Sequence, residues 1–120
     1  VVAVGVNETT KLNKAPPALK AKHFRPRPEE SGRLALSTYC IDELDDEACW
    51  ILLELHVKPA VVARAELLVQ VLRDAGLTAD ADWDPERHVN IIDWPTADEE
   101  IVSISQEVLF RAQKPILRTA

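Results

Sequence analysis

Four prolines, Pro16, Pro17, Pro26 and Pro28, fall within residues 11–32. Each removes a backbone donor and fixes its own φ, so neither a helix nor a central strand can run through this stretch. The segment is also cationic. Residues 1–28 carry Lys11, Lys14, Lys20, Lys22, Arg25 and Arg27 against Glu8 alone, a net +5; the whole chain is −6, which leaves −11 for the remainder. Residues 1–32 therefore read as a basic, proline-rich, extended N-terminal arm, with a short strand over 1–6 where valines dominate. Residues 33–120 read as one compact domain. His23, within the arm, reads as a solvated side chain.

The pattern becomes regular from Arg33. Leu34 to Ile41 alternates apolar with small or polar residues and predicts a half-buried strand. Asp45 is placed to cap a helix over about 46–57, with Asp46 and Glu47 at the end of the helix dipole that favours carboxylates. Ala48, Cys49, Trp50, Ile51, Leu52, Leu53, Leu55 and Val57 make that helix apolar on almost every side, more than the stripe of roughly 100° that a surface helix needs. Pro59 should end it and open a second helix over about 60–75, where Val61, Ala65, Leu68, Leu72 and Ala75 recur at spacings of four and three. Gly76 is its left-handed terminator.

Residues 78–87 read as an acidic irregular loop, and His88 to Trp94 as a strand closed by Pro95. Thr96 with Glu99 forms a capping box for a third helix to about 113, whose apolar face is Ile101, Ile104, Val108 and Ala112. A final strand is expected over Pro115 to Arg118. The fold class is α+β: a small sheet of about three or four strands with three helices packed mainly on one face.

Several function classes drop out. With only three glycines, at 5, 32 and 76, the chain has no Gly-rich loop to cradle a phosphate. Two cysteines, Cys40 and Cys49, cannot make a disulfide framework or a four-cysteine zinc site, and their apolar surroundings disfavour a thiolate. Cys49 and His56 lie on one side of the first helix but about 10 Å apart along its axis, too far to act as a pair. Asp80, Asp82 and Asp84 open like a calcium loop, but the sixth position is Pro85 and the twelfth Ile91, so neither the sharp turn nor the bidentate ligand is supplied. No metal or other cofactor is expected. No apolar run reaches the roughly 18–20 residues of a membrane span, and no secretory signal pattern opens the chain, which points to a cytoplasmic protein of bacterial type. The absence of methionine suggests that residues precede Val1.

Two constellations remain. Arg87, His88 and Asn90 form the densest collection of catalytic residue types, with His88 and Asn90 on one face of a strand and Asp93 on the other. An imidazole acid or base, an orienting amide and a guanidinium that binds negative charge would suit a small metal-independent enzyme acting on an anionic substrate. Trp83 and Trp94 flank the same strand and would make an aromatic rim beside the arm cations Lys20, Lys22, Arg25 and Arg27. The favoured expectation is a non-catalytic accessory or adaptor module that binds a protein partner through that rim and arm, and that self-associates as a homodimer burying the all-round apolar first helix. The enzyme is the alternative. Nucleic-acid binding through the arm comes third, because the −11 body would repel phosphates and Phe24 is the arm's only aromatic.

Overall fold

The first strand, β1 (Val2–Val6), lies in the middle of the sheet. Val2, Val4 and Val6 point into one core and Ala3 into a second on the opposite face, which is why this short segment is apolar throughout rather than alternating. A computed structural model describes residues 1–6, 13–14, 17–18, 20–56, 61–112 and 116–117. After β1 come two two-residue strands, β2 (Asn13–Lys14) and β3 (Pro17–Ala18), paired with each other. A 3-10 turn (Ala21–Phe24) and β4 (Arg27–Pro28) lead to β5 (Leu34–Cys40) and α1 (Asp46–His56). The chain continues through β6 (Ala63–Leu67), α2 (Val69–Asp74), β7 (Thr78–Asp80), β8 (His88–Ile92), α3 (Asp98–Arg111) and β9 (Ile116–Leu117).

The class is α+β, but the sheet is larger than the three or four strands expected. Six strands run in the order β7-β8-β5-β1-β6-β9, all pairings antiparallel, and β4 joins the Leu34–Ala35 end of β5. The expectation fell short because β6 and β7 were hidden in segments assigned to a helix and to a loop. Two of the three helices share one face of the sheet and the third lies on the other. Leu72 of α2, Val108 of α3 and Phe24 pack in the core with Val2, Val4, Leu36 and Ile91, whereas Cys49, Trp50 and Leu53 of α1 pack with Ala3 and Tyr39 on the reverse side.

The single helix expected over 60–75 is the clearest correction. Val61, Ala65, Leu68 and Leu72 fit a helical spacing, yet Ala63, Ala65 and Leu67 also alternate with Arg64 and Glu66, and pairing with β1 selects the strand. Only Val69–Asp74 is helical. Its end is as anticipated: Gly76 sits at φ 86°, and Leu77 N–H donates to Leu72 C=O to close the turn. Asp45 caps α1, accepting from Ala48 N–H at 2.8 Å. Helix α3 starts later than the Thr96 box implied, with Ala97 at the cap and Asp98, Glu99 and Glu100 in its first turn. Pro59, expected to separate two helices, lies outside the described residues, as do Lys11 and Pro16 of the arm.

Parts of the expected arm take part in the core. Phe24 is fully buried, and its carbonyl accepts from Ser105 Oγ on α3. His23 is half-buried rather than solvated, with Nδ1 accepting from Lys20 N–H at 2.9 Å. The prolines on either side do what prolines do in extended chain, keeping the segment out of helix and leaving β4 only two residues long.

Candidate functional site

Helix α1 covers only part of its side of the sheet. On the same side, Ser37 and Tyr39 of β5 stand next to His88 and Asn90 of β8, because Ser37 pairs with Asn90 and Tyr39 with His88. The diagonal neighbours Ser37 and His88 meet, with Ser37 Oγ 2.7 Å from His88 Nε2. The other ring nitrogen, Nδ1, is 2.9 Å from Asp82 Oδ1. Ser37 is exposed and the His88 ring buried, so a solvent-facing hydroxyl rests on a buried imidazole, itself oriented by a carboxylate.

Asp82 is fixed from several sides. Its Oδ2 accepts from Asn90 Nδ2 at 3.2 Å, and its Oδ1 also accepts from Asp84 N–H. Asn90 Nδ2 donates as well to Glu29 Oε1 at 3.2 Å, and Glu29 is held by Arg33 through Nε and Nη2 across the turn into β5. Burial pushes the Asp82 carboxyl up. The bond from His88, the Asp84 N–H and the charges of His88 and Arg33 outweigh that, so it titrates below its ordinary value. When the His88 ring carries no charge, an ionised Asp82 accepting Nδ1–H leaves Nε2 as the acceptor for the Ser37 proton.

The loop carrying Asp82 has a costly backbone. Trp83 (φ 58°) and Arg87 (φ 67°) both occupy the left-handed region, which side chains with a Cβ disfavour. Three hydrogen bonds hold it there: Trp83 N–H to His88 C=O, His88 N–H to Pro85 C=O, and Cys40 N–H to Arg87 C=O. Strain of this kind persists where surrounding contacts over-determine it, and here it sets Asp82 opposite His88.

Tyr39 completes the group. Its ring stacks on His56, the last residue of α1, at 5.2 Å and 11°, and lies 5.3 Å from the His88 ring at 58°. Burial pushes its phenol up, the neighbouring Ser37 hydroxyl acts in the opposite sense, and the Asp82 charge adds to the rise.

The residues singled out in the sequence are distributed as follows. His88 and Asn90 share a face and a common partner, Asp82. Arg87 does not join them; its Nη1 donates to the carbonyls of Cys40 (3.2 Å) and Asp42 (3.0 Å), directed there by its left-handed backbone. Asp93 ties instead to the Thr78 hydroxyl. Trp94 is 8% exposed, its Nε1–H donating to Ile91 C=O, while Trp83 is 47% exposed. One indole is thus interior and one is on the surface. Lys22, Arg25 and Arg27 are exposed and Lys20 half-buried. Cys49 is buried, which pushes its thiol up.

Ser37, Tyr39 and Glu29 were not anticipated, and Asp82 was considered only as a calcium ligand. The available signal was a serine two residues before a tyrosine in an apolar strand, a polar slot on a covered face. What the sequence cannot display is that β5 and β8 are neighbours. No family model, curated protein or solved structure matches the chain.

Proposed function

We propose that the chain is a small hydrolytic or acyl-transfer enzyme with Ser37 as nucleophile, His88 as general base and Asp82 as the group that orients and charge-stabilises the imidazole. The single observation that carries this reading is the unbroken run of contacts from Ser37 Oγ to His88 Nε2 and from His88 Nδ1 to Asp82 Oδ1. Ser37 Oγ forms a bond to an electrophilic carbon while its proton passes to His88 Nε2. The imidazolium, paired with Asp82, returns that proton to the departing group. Water deprotonated by His88 then releases the acyl group and restores the serine. Asn90 holds Asp82 in place. Arg87, engaged by backbone carbonyls, does not supply the guanidinium clamp that an anionic substrate was expected to use.

A dialkyl fluorophosphate tests this directly: Oγ–P forms, P–F breaks, fluoride leaves and the serine proton goes to His88. Mass spectrometry should find one adduct on Ser37 in the full chain, none in Ser37→Ala, and labelling slower by roughly 10²- to 10⁴-fold in His88→Gln. An unlabelled Ser37, or His88→Gln labelling at the parent rate, removes the proposal.

A second reading, self-association as a binding module, is favoured by the outer side of α1. Ile51 and Leu55, one turn apart, are 54% and 66% exposed although the inner side of the same helix is already packed. A second copy is the occupant this reading requires. Light scattering at high protein concentration should give twice the chain mass, falling to one chain mass in Ile51→Glu/Leu55→Glu; a parent that is monomeric throughout eliminates it.

A further inference from the structure

The turn from Glu29 to Arg33, between β4 and β5, is tied through its backbone and its side chains. Glu29 N–H donates to Arg33 C=O and Gly32 N–H to Glu29 C=O, each at 2.8 Å, with Gly32 in the left-handed region at φ 86°. Arg33 Nε donates to Glu29 Oε2 at 3.1 Å and Nη2 to Oε1 at 3.2 Å, a two-point grip that fixes the plane of the carboxylate. Asn90 Nδ2 then donates to two carboxylates, Glu29 Oε1 and Asp82 Oδ2, both at 3.2 Å. An ionised carboxylate only accepts, so these partners settle which way the Asn90 amide faces: nitrogen toward them, oxygen away. Both N–H groups of that amide are spent. Asn90 therefore has no donor left for a substrate, and what it orients is Asp82.

We propose that Glu29 is a positioning residue, which acts through Asn90 to keep Asp82 Oδ1 aimed at His88 Nδ1. Its catalytic consequence rests on the reading of Ser37 as the nucleophile. A single bond to Asp82 would leave the Asn90 amide free to pivot; the bond to Glu29 supplies the second point that stops it. The Asp82 carboxylate, gripped at Oδ2 by that amide and at Oδ1 by Asp84 N–H, cannot turn about its own axis. The imidazole is thereby kept in the tautomer with its proton on Nδ1, the form in which Nε2 receives the Ser37 proton. The turn ahead of β5 thus completes the site.

Two measurements test it, with circular dichroism confirming that each variant stays folded. In labelling by a dialkyl fluorophosphate, Glu29→Ala should lower the saturating rate by about fivefold or more, with the half-saturating concentration unchanged within about twofold. Glu29→Gln, whose amide oxygen can still accept from Asn90, should recover most of that rate. In an Asn90→Ala chain the further change Glu29→Ala should alter the rate by less than about twofold, because its route to Asp82 is already cut. A Glu29→Ala chain that labels at the parent rate, no recovery in Glu29→Gln, or an undiminished loss in the Asn90→Ala background overturns the proposal. The second measurement does not depend on reactivity. Imidazole nitrogen NMR, assigned with His88→Gln, should show the Nδ1–H tautomer of His88 in the parent and a smaller share of it in Glu29→Ala. An unchanged share overturns the positioning role. Absence of Ser37 labelling in the parent overturns the nucleophile reading instead, so the two failures are distinct.

Discussion

The guanidinium of Arg64 lies 4.5 Å from the centre of the Trp50 ring, joining the middle of β6 to α1. Arg64 Nε donates to Glu66 Oε2 at 2.7 Å. Its Nη1 is 2.8 Å from Asp46 Oδ1 but off the hydrogen-bonding direction, so that contact is Coulombic. Asp46 also accepts from Trp50 Nε1–H. The side chain of Arg64 is only 7% exposed, whereas that of Asp46 is 70% exposed, so Glu66 and the indole are the partners that matter most. Arg64→Ala should lower stability by roughly 2–3 kcal/mol in urea unfolding, since it strands Glu66 and opens a gap under Trp50. Arg64→Lys should recover only part, because an ammonium cannot stack on the ring as a planar guanidinium does.

Phe24 tests whether the residues after the prolines belong to the folded unit. Phe24→Ala is expected to lower stability by roughly 3–5 kcal/mol, the usual range for emptying a closed aromatic site. Arg25→Ala and Arg27→Ala, on exposed neighbours, should stay within about 0.5 kcal/mol. Chemical denaturation of the three variants decides between a docked segment and a loose one.

Asp82 links the site to acid stability. Its carboxyl titrates below the ordinary value because the bonds from His88 and Asp84 N–H outweigh the opposing effect of burial. A depressed folded-state value means that the stabilisation is complete above the unfolded value, about 3.9, and disappears as pH falls through the folded one. The stability gap between the parent and Asp82→Asn should therefore be largest near neutrality and shrink below about pH 4. A gap constant from pH 7 to pH 3 contradicts the assignment. In labelling, Asp82→Asn should be slower by up to about 10⁴-fold, since an amide can hold the wrong tautomer of His88.

Gly76 separates backbone strain from crowding. Its φ is 86°, and a Cβ placed there would meet nothing within 4 Å. Gly76→Ala should therefore lower stability by about 1–2 kcal/mol through conformation alone. Thermal unfolding with no change in the α2–β7 contacts by NMR would confirm the origin; no loss of stability would contradict it.

The legible parts of the fold were those with local punctuation. Asp45 ahead of an apolar run, Gly76 after one, and the alternation of Leu34 to Ile41 each specify structure without reference to distant residues. The strand Ala63–Leu67 was not legible, because alanines at 63 and 65 satisfy a helical and a pleated pattern equally and only β1 decides between them. The site shows the same division. His88 and Asn90 announce themselves by spacing on one strand. Ser37 and Asp82 reach His88 across 51 and 6 residues, so they become partners only through strand order and through a loop bent by two left-handed residues. Arg87 looked like an anion clamp for the converse reason: its chemistry was visible, but the backbone angle that turns it away was not.

Val2 pairs with both Cys40 and Leu67. Its two partners at this position lie 38 and 65 residues further along the chain, so one edge of β1 can close on β5 well before the other closes on β6. Such long-range closure slows folding relative to a chain built from local hairpins. Until β6 is in place one edge of the valine-rich β1 stays open to other strands, a hazard that the lysines and prolines further along the chain, poor partners for neighbouring strands, are well suited to contain.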